Sequence, residues 1–539
     1  MGLQNFIERI DLIAGIRPES GLAPWLERIA FIFLFLMVLS APHSIAATQI
    51  AWLTGMLAWV IRLFVAPRPA LVRTPLDIPL WAFFGWAVVA ALCSYEPLVS
   101  LDKLRGAALF LIFYFVINNL RHLRAVKFLA LALIFSTMIN VLWTPVERAF
   151  GRGVEIHGLS AESPLKKALL WEGDTLLKAD GRKIRTPEEL VEELKRNETT
   201  RVEFYRPDFN FTVEVKRADL LDGGGDPLKT LGIESWKKSR NWRSQGFYGH
   251  YATYAEVLQL ITSLVLGLFI AGLFKEKGKR QKAKEDDEKE GKIQNPKSKI
   301  QNPNWLFLFC LLMMAFALLL TVTRASQLGF LISAFTIVLL GGSRKMILIL
   351  AAVALPVAVG GLIFLHQTRE VGFFDRSDDS ITYRETVYRE GINLWLKNPR
   401  HFFLGVGMDT VTKKEYVQRW HLFDDGRLAM SHFHSTPIQL LVERGLFGLL
   451  LWLLLFGAYL RTLWKGIKTG KKENPKSEIR NPKFFSGLLL GCAGGAVGFF
   501  ASGMVHYNLG DAEVAMVFYL LMGLGVFVCQ AIRRGDFGF

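Results

Sequence analysis

Two histidines stand directly before a predicted helix in the C-terminal half of the chain. His432 and His434 precede Thr436, a favoured helix cap, and Pro437, which suits the first helical position; Gln439 completes a capping box. The positive end of the helix dipole disfavours an imidazolium, so we expect His434 to stay neutral at working pH. A neutral imidazole can accept a proton from a hydroxyl group, and the same helix end attracts phosphate.

The two histidines could act together, and they lie in a histidine-rich link. If residues 432–434 are extended, both rings point to one side of the chain. The pair closes a link, residues 366–442, that carries half of the ten histidines: His366, His401, His421, His432 and His434. The alternative interpretation is two surface histidines at a membrane boundary.

Two arginines lie where a cation is unexpected. Arg324 sits in a short polar break between two hydrophobic runs. It is a candidate for binding phosphate, and the alternative interpretation is that its side chain snorkels to the membrane interface. Arg384 shares one face of an amphipathic helix with Tyr388, Gly391 and Trp395, so we expect it to point inward. A guanidinium forms forked hydrogen bonds to phosphate and keeps its charge.

The elements that must position these residues are hydrophobic. The chain has 539 residues, of which 51% are apolar, and apolar runs of about 17–25 residues recur, the length that crosses a bilayer. This pattern predicts a polytopic α-helical membrane protein with about a dozen spans. The predicted spans are 28–46, 47–65, 78–94, 105–119, 124–145, 250–273, 305–322, 327–341, 346–365, 443–464, 484–505 and 513–531.

The net charge of +16 is placed as membrane topology requires. Basic residues cluster in alternate links between the apolar runs, which argues against nucleic acid and puts both termini in the cytoplasm. The first hydrophobic segment is expected to remain as an anchor and not to be cleaved. The predicted organisation is membrane helices 1–145, a periplasmic insert 146–249, membrane helices 250–365 with a cytoplasmic linker 274–304, a periplasmic catalytic loop 366–442, and membrane helices 443–539.

The insert is predicted to contain a small α+β domain at about 150–220. Residues 154–156, 201–205 and 211–215 alternate like strands, and Thr186 with Pro187 opens a helix. The order of Ser163-Pro164, Gly173-Asp174, Asp180-Gly181 and Thr186-Pro187 resembles a bacterial PDZ domain. This resemblance implies capture of a peptide by strand addition near residues 151–154; a structural spacer is the alternative.

A second resemblance covers the membrane portion and is best from 320 to 450. Thr323-Arg324, Arg384 with Trp395, residues 404–407, His432 with His434, and residues 443–448 together resemble the O-antigen ligase and polymerase superfamily. The resemblance implies transfer of a glycan from an undecaprenyl-diphosphate carrier at the periplasmic face of the bacterial inner membrane. The acceptor it implies is a glycolipid, a polysaccharide or a protein.

The resemblance also implies roles for particular residues. His434 acts as general base with His432 in support, while Arg324 and Arg384 hold the diphosphate and do the work that a metal does elsewhere. His506 and Asp511, in the last exterior link, are secondary candidates for lining the cleft. We expect no metal and no cofactor, and the four cysteines predict neither a metal site nor a disulfide framework.

Two other classes compete with this interpretation. A PDZ domain between membrane helices also suits a site-2-type protease, but the required His-Glu-x-x-His zinc helix does not occur in the sequence. A transporter of lipid-linked glycans predicts matching halves and charges at mid-membrane, and the sequence has few such features.

Overall fold

The structure is a computed structural model that describes residues 2–17, 21–206, 209–240, 242–273, 304–342, 379–428, 431–471 and 482–534. The chain divides into two compact units. The helical unit comprises Met1–Met138, Phe247–Leu319 and Thr323–Phe539, and the insert unit comprises Ile139–Gly246 with Leu320–Val322.

The helical unit begins with short and long apolar helices. They are α1 (Gly2–Ala14), α2 (Leu22–Ser40), α3 (Ile45–Phe64), α4 (Asp77–Leu92), α5 (Pro97–Asp102), α6 (Leu104–Ala107), α7 (Leu111–Asn119) and α8 (Leu123–Phe150). Ser44 caps α3 by accepting a hydrogen bond from the amide of Ala47. Arg28 on α2 makes two 2.8 Å hydrogen bonds to the carboxylate of Asp11, which ties α1 to the bundle.

The insert unit contains a six-stranded antiparallel sheet with short helices. Its elements are β1 (Arg152–His157), α9 (Pro164–Lys167), β2 (Thr175–Ala179), β3 (Arg182–Lys183), α10 (Pro187–Arg196), β4 (Thr199–Arg206), β5 (Phe209–Lys216), α11 (Pro227–Leu231) and β6 (Ser235–Ser239). Thr186 caps α10 as the sequence predicts, with its Oγ1 accepting from the amide of Glu189. The apolar face of α10, with Leu190 and Leu194, packs into the buried core against the sheet.

The sheet runs β5-β4-β2-β1-β6, with β3 paired to β2. Strand β6 and helix α11 lie beyond residue 220, so the domain extends further than the sequence predicts. Strand β1 pairs with β2 on one side and with β6 on the other, where Arg152 stands opposite Ser239. The proposed peptide loop at residues 151–154 therefore has no free strand edge, because the chain itself covers it.

The helical unit resumes after the insert. Its elements are α12 (Tyr251–Leu273), α13 (Asn304–Leu320), α14 (Arg324–Gly341), α15 (Asp379–Leu396), α16 (Pro399–Leu404), α17 (Lys414–Arg419), α18 (Phe423–Gly426), α19 (Thr436–Lys471), α20 (Pro482–Gly503) and α21 (Ala512–Arg534). Helices α12, α14 and α20 meet through small residues. A Cβ on Gly491 would lie 2.5 Å from Cα of Leu264, and one on Gly329 would lie 2.9 Å from the carbonyl oxygen of Gly498. Such close backbone contact is typical of membrane helices.

Eight of the described helices are long and apolar enough to cross a membrane: α2, α3, α8, α12, α14, α19 up to Gly470, α20 and α21. Helices α4 and α13 are apolar but shorter. This pattern makes the chain a multi-pass membrane protein. The predicted span 105–119 is instead broken into α6, a 3-10 turn and α7, and the predicted span 346–365 lies outside the described residues. The count of twelve stays a prediction.

A kink in α19 receives a glycine-rich segment. Gly445 has a φ of 66°, in the left-handed region, and interrupts the helix. The segment of Gly405 and Gly407 docks there, since the amide of Gly407 donates to the carbonyl of Glu443 at 3.1 Å. A Cβ on Gly445 would lie 2.2 Å from the carbonyl oxygen of Phe403. Glycine at these positions therefore lets two backbones touch where the candidate site is built.

Candidate active site

The start of helix α19 holds the two predicted histidines. The helix begins at Thr436, and Ser435 is its cap, with Oγ 3.5 Å from the amide of Ile438; the prediction of Thr436 as the cap is therefore wrong. Thr436 instead donates through Oγ1 to the carbonyl of His506 and to Oδ1 of Asn508, at 3.1 and 3.0 Å. The Thr436 hydroxyl therefore bonds to the loop between α20 and α21 and does not cap its own helix.

A left-handed turn brings the two histidine rings together. His434 has a φ of 47°, a conformation that is costly for any residue but glycine and that often marks functional sites. The segment is thus not extended, yet the ring centroids of His432 and His434 lie 4.1 Å apart. Two hydrogen bonds hold the turn: Phe433 N donates to Oε1 of Gln439 at 2.8 Å, and the Tyr388 hydroxyl donates to the carbonyl of His434 at 3.0 Å.

A backbone hydrogen bond sets the tautomer of His432. The amide of His434 donates to Nδ1 of His432 at 3.2 Å. A ring nitrogen that accepts a hydrogen bond carries no proton, so neutral His432 has its proton on Nε2. Nε2 of His432 can therefore donate a hydrogen bond.

Both histidines are held in the neutral form. Burial is the largest cause that lowers the pKa of His434 to about 2, and electrostatic repulsion from neighbouring basic groups, including Arg384, acts in the same direction. Burial also lowers the pKa of His432 to about 4, with the charge of His506 as the next cause. The low pKa agrees with the expectation that His434 is neutral. Its leading cause is desolvation, whereas the sequence argument relied on the helix dipole.

Helix α15 brings Arg384 to the pair. The predicted face of this helix packs on the segment that carries the histidines: a Cβ on Gly391 would lie 2.9 Å from the ring of Phe433, and Tyr388 holds the carbonyl of His434. Arg384 is half-buried on the same face. It is close enough to His434 for its charge to depress the pKa of that ring.

His506 completes the cluster from the last loop. Its ring centroid is 6.1 Å from that of His434, and its Nδ1 lies 3.0 Å from Oε1 of Glu256, a carboxylate on α12 that is only 1% exposed. Burial is the largest single cause and acts to lower the pKa of His506, but the charge and the hydrogen bond of Glu256, with the charge of Asp511, together outweigh it, so the pKa is raised. Asp511 accepts a 2.5 Å hydrogen bond from Thr253, also on α12.

A cavity of about 350 Å³ lies within the helical unit at this cluster. His432, His506 and Asp511 line it, together with His250 at the start of α12. Its wall also carries charged side chains from distant parts of the chain: Lys103, Asp409, Glu443 and Arg444. The cavity offers imidazoles, carboxylates and cations to one bound molecule.

Residues 309–453 match the family model of the O-antigen ligase domain. The matched range contains His432 and His434 as well as Arg324 and Arg384. The match supports the O-antigen ligase superfamily and a ligase- or polymerase-type function. No curated protein matches the chain.

Within the O-antigen ligase range, the structure separates the two predicted arginines from the cavity wall. Arg324 is the first residue of α14 and is half-buried. Arg384 acts on His434 and His506 through its charge. Neither arginine is among the residues that line the cavity, and neither is His434.

Sequence reasoning missed several residues of this site. Glu256 is a lone acid in the apolar helix α12, and Glu443 and Arg444 are adjacent charged residues near the start of the apolar helix α19. A charge inside a membrane helix is costly and by default marks function, so this signal was present in the sequence. Lys103 and Asp409 left no such signal, because each stands in a polar link.

Proposed function

We propose that the protein is a glycosyltransferase that moves a glycan from an undecaprenyl-diphosphate carrier to an acceptor hydroxyl. The observation that carries this proposal is the neutral histidine pair beside Arg384, inside the range that matches the O-antigen ligase family. The reaction requires a base for the hydroxyl and a cation for the leaving group, and this cluster supplies both.

In the proposed reaction the acceptor oxygen forms a bond to the anomeric carbon as the bond from that carbon to the diphosphate breaks. His434 takes the acceptor proton, and His432 donates a hydrogen bond from Nε2. Arg384 and Arg324 stabilise the charge that grows on the departing undecaprenyl diphosphate. His506 and Asp511 line the cavity in which the acceptor or donor glycan binds.

The proposed location is the bacterial inner membrane, with both termini in the cytoplasm. The insert and the link 366–442, which carries the histidines, then face the periplasm, where lipid-linked glycans are presented. The distribution of basic links supports this orientation.

Two related activities fit the same cluster. A polysaccharide polymerase and a protein O-oligosaccharyltransferase use the same donor chemistry and differ in the acceptor. The insert favours a protein partner only through its resemblance to a PDZ domain. Its structure adds no support, because β6 covers the edge of β1. A non-enzymatic transporter of lipid-linked glycans is the more remote alternative.

The test uses the purified full-length protein with an undecaprenyl-diphosphate-linked oligosaccharide and each class of acceptor. Release of undecaprenyl diphosphate together with glycosylated acceptor is the expected result. His434→Ala should abolish release, while Arg324→Ala and Arg384→Ala should weaken engagement of the donor. A chelator should leave the rate unchanged, because arginines hold the diphosphate in this scheme.

The matched control is His421→Ala. His421 belongs to the same link, but its side chain is 81% exposed and pairs with Asp425. Full transfer activity in the His434→Ala protein would refute the mechanism, and flipping of the donor without transfer would favour the transporter. Unchanged activity after removal of the insert domain would make that domain a spacer.

A further inference from the structure

Arg444 is a buried cation that the proposed reaction does not use. It lies at the kink of α19, is 5% exposed, and lines the cavity. Among the described residues, its Nε and Nη1 atoms are buried without a hydrogen-bond partner. Its guanidinium does lie 5.2 Å from the centre of the Phe83 ring, a cation–π contact that satisfies none of its N–H groups.

The carboxylates of the cavity are already engaged by other groups. Oε1 of Glu443 accepts hydrogen bonds from the amide of Asp409 at 2.9 Å and from Nε2 of Gln439 at 2.8 Å. Oδ2 of Asp409 lies 2.9 Å from Nζ of Lys103. Within the part of the chain that the structure describes, no carboxylate lies within ion-pair distance of the Arg444 guanidinium. Among the described residues, Arg444 thus has no direct counterion.

Such a cation requires compensation. A guanidinium stays charged at every pH that a protein meets, so it cannot lower its cost by losing a proton. Unpaired charge away from water is strongly unfavourable, and an anion inside the cavity would relieve it.

The neighbouring groups select the kind of anion. Tyr507, Tyr519 and His432 line the same cavity. Burial raises the pKa of Tyr507, so its phenol stays a hydrogen-bond donor, and His432 carries its proton on Nε2. Because the carboxylates Glu443 and Asp409 of the same cavity are already engaged, an unpaired cation beside neutral donors suits a group with several charged oxygens, such as phosphate.

We propose that Arg444 is a phosphate-binding residue of the cavity, separate from Arg384. Arg384 approaches the histidines from α15 and does not line the cavity, whereas Arg444 reaches it from α19. The phosphate belongs either to the lipid carrier or to a phosphorylated acceptor. Assigning the phosphate to one of these sources rests on the proposed function. The proposal that Arg444 binds phosphate does not depend on that function.

Binding is measured on the full chain in detergent by calorimetric titration with inorganic phosphate, inorganic pyrophosphate and undecaprenyl diphosphate. Arg444→Gln should weaken binding of pyrophosphate at least about tenfold, the loss of one charge-assisted contact. Arg444→Lys should weaken it less, since it keeps the charge and loses the planar fork. Arg105→Gln is the matched control, because Arg105 is 76% exposed and pairs with Asp102; it should bind as wild type.

The three ligands identify the source. A loss confined to undecaprenyl diphosphate and pyrophosphate assigns Arg444 to the carrier, and an equal loss for inorganic phosphate with carrier binding intact assigns it to the acceptor. Wild-type affinity of Arg444→Gln and Arg444→Lys for all three ligands overturns the proposal. Removing an unpaired buried charge should leave the unliganded melting temperature equal or higher, which separates lost binding from lost folding. Binding through Arg444 in a protein without transfer activity would refute the proposed function alone.

Discussion

The amide of His434 donates a hydrogen bond to Nδ1 of His432, so the neutral His432 ring carries its proton on Nε2. In the proposed reaction these two rings have different tasks, since His432 donates from its N–H group and His434 takes the proton. A sequence with two histidines separated by one residue does not distinguish these tasks.

Amide substitutions separate the two roles. Glutamine donates a hydrogen bond but cannot accept a proton as a base, so His432→Gln should retain measurable transfer while His434→Gln should lose on the order of 10²–10⁴-fold in kcat. His432→Ala should fall below His432→Gln. Initial rates of undecaprenyl diphosphate release measure all three, and equal losses in the two glutamine variants would contradict the assignment.

Acid should destabilise the protein through the same pair. The ordinary histidine pKa is 6.5, and folding lowers it to about 4 for His432 and about 2 for His434. Below about 6.5 the unfolded chain therefore binds more protons than the folded chain, and stability falls as pH falls towards 4 and beyond. Thermal unfolding between pH 4 and 7.5 should show this decline, and the double variant His432→Gln/His434→Gln should show a shallower one. A decline of the same slope in both proteins would remove the pair as its cause.

The kink of α19 should depend on glycine at one position. Gly445→Ala places a Cβ 2.2 Å from the carbonyl of Phe403 at a φ of 66°, and we expect a loss of about 1–3 kcal/mol in stability with loss of activity. Gly457→Ala in the same helix is the control, since nothing lies within 4 Å of its Cβ position. Denaturation in detergent compares the two, and similar stability would show that the close contact at Gly445 is dispensable.

The ion pair of Glu256 and His506 should position the last loop. Glu256→Gln leaves His506 without its carboxylate and should cost up to about 3 kcal/mol. The double variant Glu256→Gln/His506→Gln should cost less than the sum of the single variants, because the unpaired partner is gone. A double-mutant cycle on thermal unfolding measures this coupling, and strict additivity would mean that the two groups do not interact.

The insert should not accept a peptide strand at β1 while β6 is in place. Residues 235–239 occupy that edge, and Lys237 stands opposite Glu155. Peptides with a free carboxylate should therefore show no binding to the wild-type insert at β1, measured by fluorescence anisotropy on the full chain. Lys237→Pro removes a donor from β6 and should loosen its pairing. Peptide protection of β1 amides from hydrogen exchange in the wild-type protein would contradict this expectation.

Much of the architecture followed from local sequence. Runs of apolar residues of this length predict membrane helices because a helix satisfies all its backbone hydrogen bonds within one segment, as lipid requires. Eight of the described helices are long and apolar enough to span. The caps and strands of the insert followed from short motifs around Thr186 and the alternating segments. The face of α15 that carries Arg384 followed from helical spacing.

Other features were settled only by tertiary packing. Thr436 has the type of a cap, but its hydroxyl is engaged by His506 and Asn508, about seventy residues further along the chain. Glu256 meets His506 across a distance in sequence that no local pattern spans.

The sequence by itself therefore determined that the chain carries many long apolar helices and that His432 and His434 are candidates for chemistry, because hydrophobicity and side-chain type are local properties. The tertiary structure decided that His434 is neutral chiefly through burial and that β6 covers β1. It also decided that Arg444 faces a cavity and has no direct counterion among the described residues. Desolvation and charge pairing depend on which distant atoms surround a group, and only the folded chain brings those atoms together.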